Sequence, residues 1–258
     1  MSALLEKLKT AALAKAGDIK VSDARIGLGY TAVMLDAGSV GLAYTFRDSA
    51  AAGCSVFQCK RPLVGSPARD VLEYLSSDES IERTLGLATA NALFNTSEAV
   101  RGMPGWQSSE GDILEVLALT KDDRVGMVGY FGPLVPVIKQ RAGELIVFEE
   151  DLSRADGLWP GSRAAEILPS CSVVIITATS MINKTFEPLA SAARSCRVKA
   201  VLGPSTPLVP EILGKYGVTH LSGTIVVDPK VVLRVVSEGG GARDLMKWSK
   251  KINLVFNR

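Results

Sequence analysis

Apolar side chains recur at helical spacing from the start of the chain. Leu4, Leu5, Leu8, Ala11 and Ala12 fall together, with Lys7, Lys9 and Lys15 spread among them. This predicts an amphipathic helix within residues 1–20 whose lysines face solvent. Runs of β-formers follow at Ala24–Leu28, Thr31–Asp36 and Val40–Arg47. Asp36-Ala-Gly-Ser39 has turn chemistry, so the last two runs read as a hairpin. Ser66-Pro67 opens a helix that reaches Leu75. Ser76 with Glu79 three residues on has the spacing of a capping box, predicting a long helix through Asn91 to about Asn95. This first part reads as a β-meander packed on helices, an α+β pattern.

The pattern changes after Arg101–Gly111, a breaker-rich segment that we read as a boundary between a domain of residues 1–108 and one of residues 109–258. Asp112 is placed to cap a helix over Ile113–Thr120. Strands are then predicted at Val125–Gly129, Leu145–Glu149, Val173–Thr177, Val198–Leu202 and Thr219–Leu221. They alternate with helices at Pro133–Arg141, Arg163–Leu168, Phe186–Ser195, Pro207–Lys215 and Pro229–Glu238. Fully apolar runs such as Val173-Val-Ile-Ile176 imply strands buried on both faces, hence a parallel sheet. The expectation is an α/β chain: an open, doubly wound parallel sheet of at least five strands behind an α+β domain. Gly239-Gly-Gly241 ends the last helix, and Ile252–Phe256 would add an edge strand.

Composition narrows the function classes. Lys plus Arg is 29 against 27 Asp plus Glu, and neither half is strongly basic, with 11 basic and 12 acidic residues in 1–110 and 18 and 15 beyond. No nucleic-acid partner is expected on that balance. The longest uncharged run, Ile167–Asn183, contains Pro169 and several hydroxyl residues, so no membrane span is expected. Residues 1–20 lack an apolar signal core. Cys54, Cys59, Cys171 and Cys196 are too few for a disulfide framework, contain no CxxC pair and are joined by one histidine, His220. That argues against a zinc ribbon and for a reducing, cytoplasmic setting.

Candidate chemistry concentrates where the predicted strands end, because open α/β sheets bind ligands beyond their strand carboxyl ends. The first parallel strand runs into Gly129, Tyr130, Phe131, Gly132 and Pro133. Glycines admit close backbone approach, Pro133 suits a first helical position, and a helix N-terminus there would favour an anion. The spacing Gly126, Gly129, Gly132 is not the dinucleotide fingerprint, since Met127 stands where its first glycine falls. Glu149, 20 residues beyond Gly129, matches the position of a ribose-binding acid. The third strand runs into Thr177, Thr179, Asn183, Lys184 and Thr185, and the fourth into Gly203, Ser205 and Thr206. Thr206 reads as an N-cap with Pro207 at the first helical position. The fifth strand is followed by Gly223 and Thr224. His220 reads as a core histidine, and Cys171 and Cys196 as small hydrophobes at the opposite, amino edge. Cys54 and Cys59 could form a metal pair, and Glu149, Glu150, Asp151 and Asp156 could hold a hard cation. Solvated acids are the simpler reading of the second group.

Gly129-Tyr-Phe-Gly-Pro133, Thr177-x-Thr-x-x-x-Asn-x-Thr185, Gly203-Pro-Ser-Thr-Pro-Leu208 and Gly223-Thr224 resemble the Rossmann-like domain of a family labelled "putative heavy-metal chelation". Its members carry an enolase-N-terminal-like domain in front. Ile26-Gly-Leu-Gly-Tyr-Thr-Ala-Val33, Gly41-Leu-Ala43 and Ala88-Thr-Ala-Asn-Ala92 resemble that domain. The resemblance spans nearly the whole chain and implies two domains with a cleft where they meet. It implies that Gly129, Gly132, Thr177, Asn183, Ser205 and Gly223 line the cleft, with Tyr30, Thr31 and Asn91 from the first domain.

The leading expectation is therefore a protein handling a small anionic molecule or a metal chelate, with a metal ion or chelate ranked ahead of a nucleotide. An enzyme using a nucleotide-type cofactor in the same cleft is the second reading, with Tyr30, Glu149 and Lys184 as its acid–base candidates. A non-catalytic, homo-oligomeric binding module is the third.

Overall fold

A computed structural model describes residues 2–46 and 61–256. Helix α1 (Ala3–Ala16) begins where Ser2 accepts the Leu5 N–H at 3.3 Å, and it buries Leu4, Leu5, Leu8, Ala12 and Ala16. Strands β1 (Val21–Ile26), β2 (Tyr30–Leu35) and β3 (Val40–Tyr44) form an antiparallel sheet in that order. Helices α2 (Ala68–Leu72) and α3 (Ser80–Phe94) follow. The predicted capping box is not formed. Glu79 is the cap residue and makes no side-chain cap bond, while Ser76 closes a short 3₁₀ turn. The Ser76 hydroxyl is taken by α1 instead, donating to Glu6 and accepting from Lys9 at 2.6 Å. A tertiary partner has outcompeted the local cap.

The small sheet is covered on both faces. Helix α3 lies so close to β3 that a Cβ on Gly41 would overlap the backbone of Ala88 and Ala92. Only glycine fits that crossing. On the other face Ala32, Val40 and Leu42 pack against Val232, Leu233 and Val236 of a later helix. Because it has neighbours on every side, α3 buries polar residues as well, including Thr84, Thr89 and Asn91.

The remaining elements build the large sheet. They are β4 (Trp106–Glu110), β5 (Arg124–Val128), α4 (Val135–Arg141), β6 (Glu144–Glu149), β7 (Trp159–Pro160), α5 (Ala164–Ile167) and β8 (Val173–Thr177). Then come α6 (Thr179–Ile182), α7 (Phe186–Ala192), β9 (Val198–Leu202), α8 (Pro210–Leu213), β10 (His220–Val226), α9 (Pro229–Ser237), α10 (Ala242–Leu245) and β11 (Ser249–Phe256). The strand order is β4-β11-β10-β9-β8-β5-β6-β7. The six strands from β10 to β7 are parallel, and Val125 pairs with Val173 and Val173 with Val198 in that sense. Strands β11 and β4 add in antiparallel.

Several expectations are corrected here. Residues 106–110, read as part of a breaker-rich link, are strand β4, so a boundary between residues 108 and 109 falls inside a strand of the large sheet. Strand β11 is not at the edge; it lies between β10 and β4. Asp112 accepts the Leu114 N–H at 3.0 Å as a cap should, but it starts only the 3₁₀ turn Ile113–Glu115, with Ala118 at φ 47° soon after. The fourth crossover helix begins at Pro210 rather than Pro207, so Thr206 is not an N-cap. Pro207 and Pro210 both satisfy the first-turn preference, and burial of Leu208 and Val209 selects the later start.

The two sheets are stitched together by buried amides. Asn91 Nδ2 donates to Leu42 O at 2.8 Å and Ser205 O at 3.1 Å. Asn95 Nδ2 donates to Thr206 O at 2.9 Å and its Oδ1 accepts the Leu208 N–H at 2.9 Å. Among the described residues no helix is long and apolar enough to cross a membrane.

Candidate functional site

The chain passes from β5 to β6 on one side and later returns to β8 on the other, so the sheet switches direction at β5. Crevices for ligands form beyond the carboxyl ends of strands at such a point. Gly129 follows β5 with φ +92°, a conformation side-chain-bearing residues rarely adopt, and a Cβ there would sit 2.9 Å from Thr177 Cβ. The glycine thus lets the β5 turn close against the end of β8. Thr177 and Thr179 share a hydroxyl contact of 3.0 Å, and Ser180 Oγ donates to Thr177 O at 2.6 Å. Helix α4 starts only at Val135, and Pro133 lies outside it. The Pro133 helix start and its anion-favouring N-terminus are not formed.

Beside Gly129, Glu149 ends β6. Its Oε2 accepts the Tyr130 N–H at 2.9 Å and Arg154 Nη1–H at 2.7 Å, and its Oε1 accepts the Glu150 N–H at 2.8 Å. Three of the roughly four acceptor sites of this carboxylate are therefore taken from within the chain. The Arg154 guanidinium also lies 5.4 Å over the Tyr130 ring, a cation–π distance. Gly132 faces that ring as well, with Tyr130 Cε1 3.3 Å from where a Cβ would be.

Beyond β8 along the same edge, the chain after β9 meets the small sheet. Gly203 has φ +121° and open space where a side chain would be. Ser205, almost wholly buried, accepts the Tyr44 N–H at 2.8 Å, and Thr84 Oγ1 donates to Tyr44 O at 3.1 Å. Tyr30 packs edge-on to Tyr44 with ring centroids 5.9 Å apart, and Tyr44 does the same to Phe46 at 5.1 Å. Burial, with Tyr44 nearby, pushes the Tyr30 phenol up to about 12, which keeps it protonated at neutral pH and unsuited to act as a base. Thr31 spends its hydroxyl on Thr45 at 2.9 Å. Asn91 Oδ1 and Thr206 Oγ1 are buried without a hydrogen-bond partner among the described residues.

The structure thus gathers Gly129, Tyr130, Gly132, Glu149, Thr177, Thr179, Gly203 and Ser205 along one edge, with Tyr30, Thr31 and Asn91 at its junction with the small sheet. Gly223 and Thr224 lie inside β10 rather than after it, but just past its pairing with β9, where Gly223 abuts Leu208 and the Thr206 carbonyl and Thr224 O accepts from Asn95 at 3.3 Å. Asn183 is exposed and makes a local turn, accepting from Thr185 N and Oγ1. Lys184 is ion-paired to Asp78 at 2.7 Å, and that contact lowers the Asp78 carboxyl below its ordinary range. Sequence reasoning missed Arg154, Tyr44 and Arg83. Arg83 is buried and donates to Ile182 O at 2.6 Å and Ser77 O at 2.8 Å, tying α3 to the end of α6. Only Arg154, five residues beyond Glu149, carried a sequence signal, as a cation beside a strand-end acid.

Metal ligands are sparse. Among the described residues no three His, Cys, Asp or Glu side chains cluster as a metal site. Cys171 is buried near the amino end of β8, and burial raises its thiol above the ordinary range. Cys54 and Cys59 lie outside the described residues. Two cavities of about 420 Å³ lie away from the carboxyl edge, one at Gly17, Asp18 and Arg69 and one around Lys199. Concavity alone does not mark the carboxyl edge; its topology and polar groups do.

Comparison with known proteins agrees with this architecture. Residues 112–255 match a family described as "Putative heavy-metal chelation", and residues 9–94 match a second with the same description. An uncharacterized protein of Methanocaldococcus jannaschii is 25% identical over 242 residues, 87% of each chain. A crystal structure of a protein of unknown function from Pyrococcus horikoshii superposes with TM-score 0.83 at 25% identity, covering 97% of this chain and 98% of that one. A second, from Desulfitobacterium hafniense, gives TM-score 0.77 at 25% identity, covering 96% and 97%.

Proposed function

We propose, from the premise that this chain belongs to the "Putative heavy-metal chelation" family, that it holds a small organic anion, free or as a metal chelate, at the carboxyl edge between β5 and β8. The observation that carries this reading is the switch point itself, where a left-handed glycine packs directly on Thr177. Thr177 and Thr179 offer hydroxyls and Arg154 a guanidinium, all groups that suit oxygen-rich anions. The small sheet, clipped on through Ser205 and Tyr44, forms the neighbouring wall.

The donor set does not suit a bare soft metal ion, which favours thiolates and imidazoles. The described residues hold no such cluster. In this reading the metal is cargo: its ligand atoms come from the bound organic molecule, and the protein recognises the chelate by its anionic rim. Glu149 already accepts three hydrogen bonds from within the chain, which leaves it little capacity as a ribose acid.

The test is retention. Protein purified without added ligand is denatured, and the released fraction is assayed by mass spectrometry and elemental analysis. A small anion, with or without stoichiometric metal, supports the reading. Gly132→Val should reduce retention at least roughly tenfold, a loss of about 1.4 kcal/mol. Its stability should change by less than about 1 kcal/mol, because Tyr130 can yield to the new side chain. Equal retention by Gly132→Val and wild type would sink the proposal.

A further inference from the structure

One buried charge elsewhere in the molecule lacks a counter-charge. Lys199, the second residue of β9, is 3% exposed. Its ammonium donates to Ala190 O at 2.7 Å and Tyr216 O at 2.8 Å, which occupies two of three N–H groups. No carboxylate among the described residues forms an ion pair with it, and burial lowers its pKa. Buried ammonium groups are costly without a negative partner.

This ammonium borders a cavity of about 420 Å³ whose lining includes Glu187, Ser191, Arg194, Lys215 and Gly217. Gly217 has φ +75°, and a Cβ there would lie 3.1 Å from Lys199 Nζ, so any side chain would crowd the ammonium from the cavity. The charges do not balance. Arg194, Lys199 and Lys215 are three cations facing one acid, Glu187, whose carboxylate already accepts from Ser2 Oγ at 2.7 Å. Lys7 adds a fourth cation nearby, donating to Tyr216 Oη at 3.4 Å.

We propose that this cavity binds a small doubly charged oxyanion of the phosphate or phosphomonoester class, with Lys199 at its floor and Arg194 and Lys215 at its rim. Even before Lys7 is counted, the lining carries an excess of two positive charges, which matches such an anion, and the third Lys199 N–H is free to donate to it. The site lies near the amino end of β9, away from the strand carboxyl ends, and does not depend on the ligand proposed there.

Inorganic phosphate, and phenyl phosphate in a parallel arm, would be titrated calorimetrically into the whole chain at ionic strength held constant with chloride. Saturable one-site binding is expected with either probe, and the tighter of the two identifies a free or an esterified source. Arg194→Ala and Lys215→Ala change exposed residues, leave the fold intact and should each weaken phosphate roughly tenfold. Lys199→Met should abolish binding; because it also removes two ties to backbone carbonyls, the rim variants decide the matter if it fails to fold. Gly132→Val should bind phosphate as wild type does, so failure here is separable from failure at the carboxyl edge. Binding no stronger than chloride, or rim variants that bind like wild type, would overturn the proposal.

Discussion

The two ends of the same parallel strands do different work. Around Asp123 and His220, at the amino edge, polar side chains satisfy one another. Asp123 accepts from Arg197 Nε at 3.0 Å, from Ser172 Oγ at 2.8 Å and from the Thr120 N–H at 2.8 Å. His220 bridges Thr219 Oγ1 at 2.8 Å and Val116 O at 3.2 Å. At the carboxyl edge, glycines replace side chains, the Thr177 and Thr179 hydroxyls pair with each other, and Asn91 and Thr206 keep orphaned polar atoms among the described residues. A closed polar network serves stability; unspent polar capacity is what a ligand can use.

The largest expected break in that contrast is Asp123→Ala. It leaves Arg197 and Ser172 without their shared acceptor and should cost about 3 kcal/mol in denaturant unfolding. Ligand retention in the folded fraction should be unaffected. A cost below about 1 kcal/mol would mean that the amino edge is not a lock.

Ser205→Ala sharpens the comparison from the other end. Ser205 sits on the carboxyl edge, yet its hydroxyl is spent on the Tyr44 N–H. Losing that acceptor strands a buried donor and should cost about 2 kcal/mol of stability. If ligand retention falls while stability holds, Ser205 belongs to the site rather than to the seam.

Acid titration separates the edges without mutation of the crevice. The Arg197 guanidinium, helped by Thr120 and Ser172, holds the Asp123 carboxyl far below the usual carboxylate range. Below the unfolded-state pKa of about 4, the unfolded chain binds a proton that the folded chain refuses, so stability falls as pH falls. One such group contributes a slope of up to about 1.4 kcal/mol per pH unit. Asp123→Asn should flatten the acid limb of an unfolding-against-pH curve, and an unchanged limb would assign it to other carboxylates.

The smallest effect belongs to Arg154→Ala. The guanidinium is about half exposed, so its pair with Glu149 should contribute only about 0.5 kcal/mol to stability. Retention of an anion at the carboxyl edge should nevertheless fall several-fold, measured side by side with wild type. Loss of stability without loss of retention would return Arg154 to a purely structural role.

Much of this molecule was legible in its residues. Fully apolar runs such as Val173–Ile176 announced a parallel core, and the glycines after β5 announced a close approach. Strand β4 was not legible, because Trp106–Glu110 is polar and exposed for most of its length and pairs only with a strand far along the chain. Capping at Ser76 and Thr206 failed for a related reason: local signals were present, but distant partners or burial decided the outcome. The end of β10 was read too early, at Leu221, because its pairing with β9 stops at Ser222 while pairing with β11 carries the strand on to Val226. Ser205, Thr31 and Asn91 were found as polar residues of the right neighbourhood, but nothing local revealed that each is occupied across the seam.

Strand β4 has a consequence for the order in which the protein is made. Its hydrogen-bonding partner is β11, which follows every other strand in the chain. During synthesis β4 leaves the ribosome early and must wait, with its backbone unpaired, while some 140 further residues are translated. Its polar, outward-facing residues Gln107, Ser108, Ser109 and Glu110 keep that waiting edge unattractive to other nascent chains. The same composition that hid β4 from the sequence pattern protects it until β11 arrives.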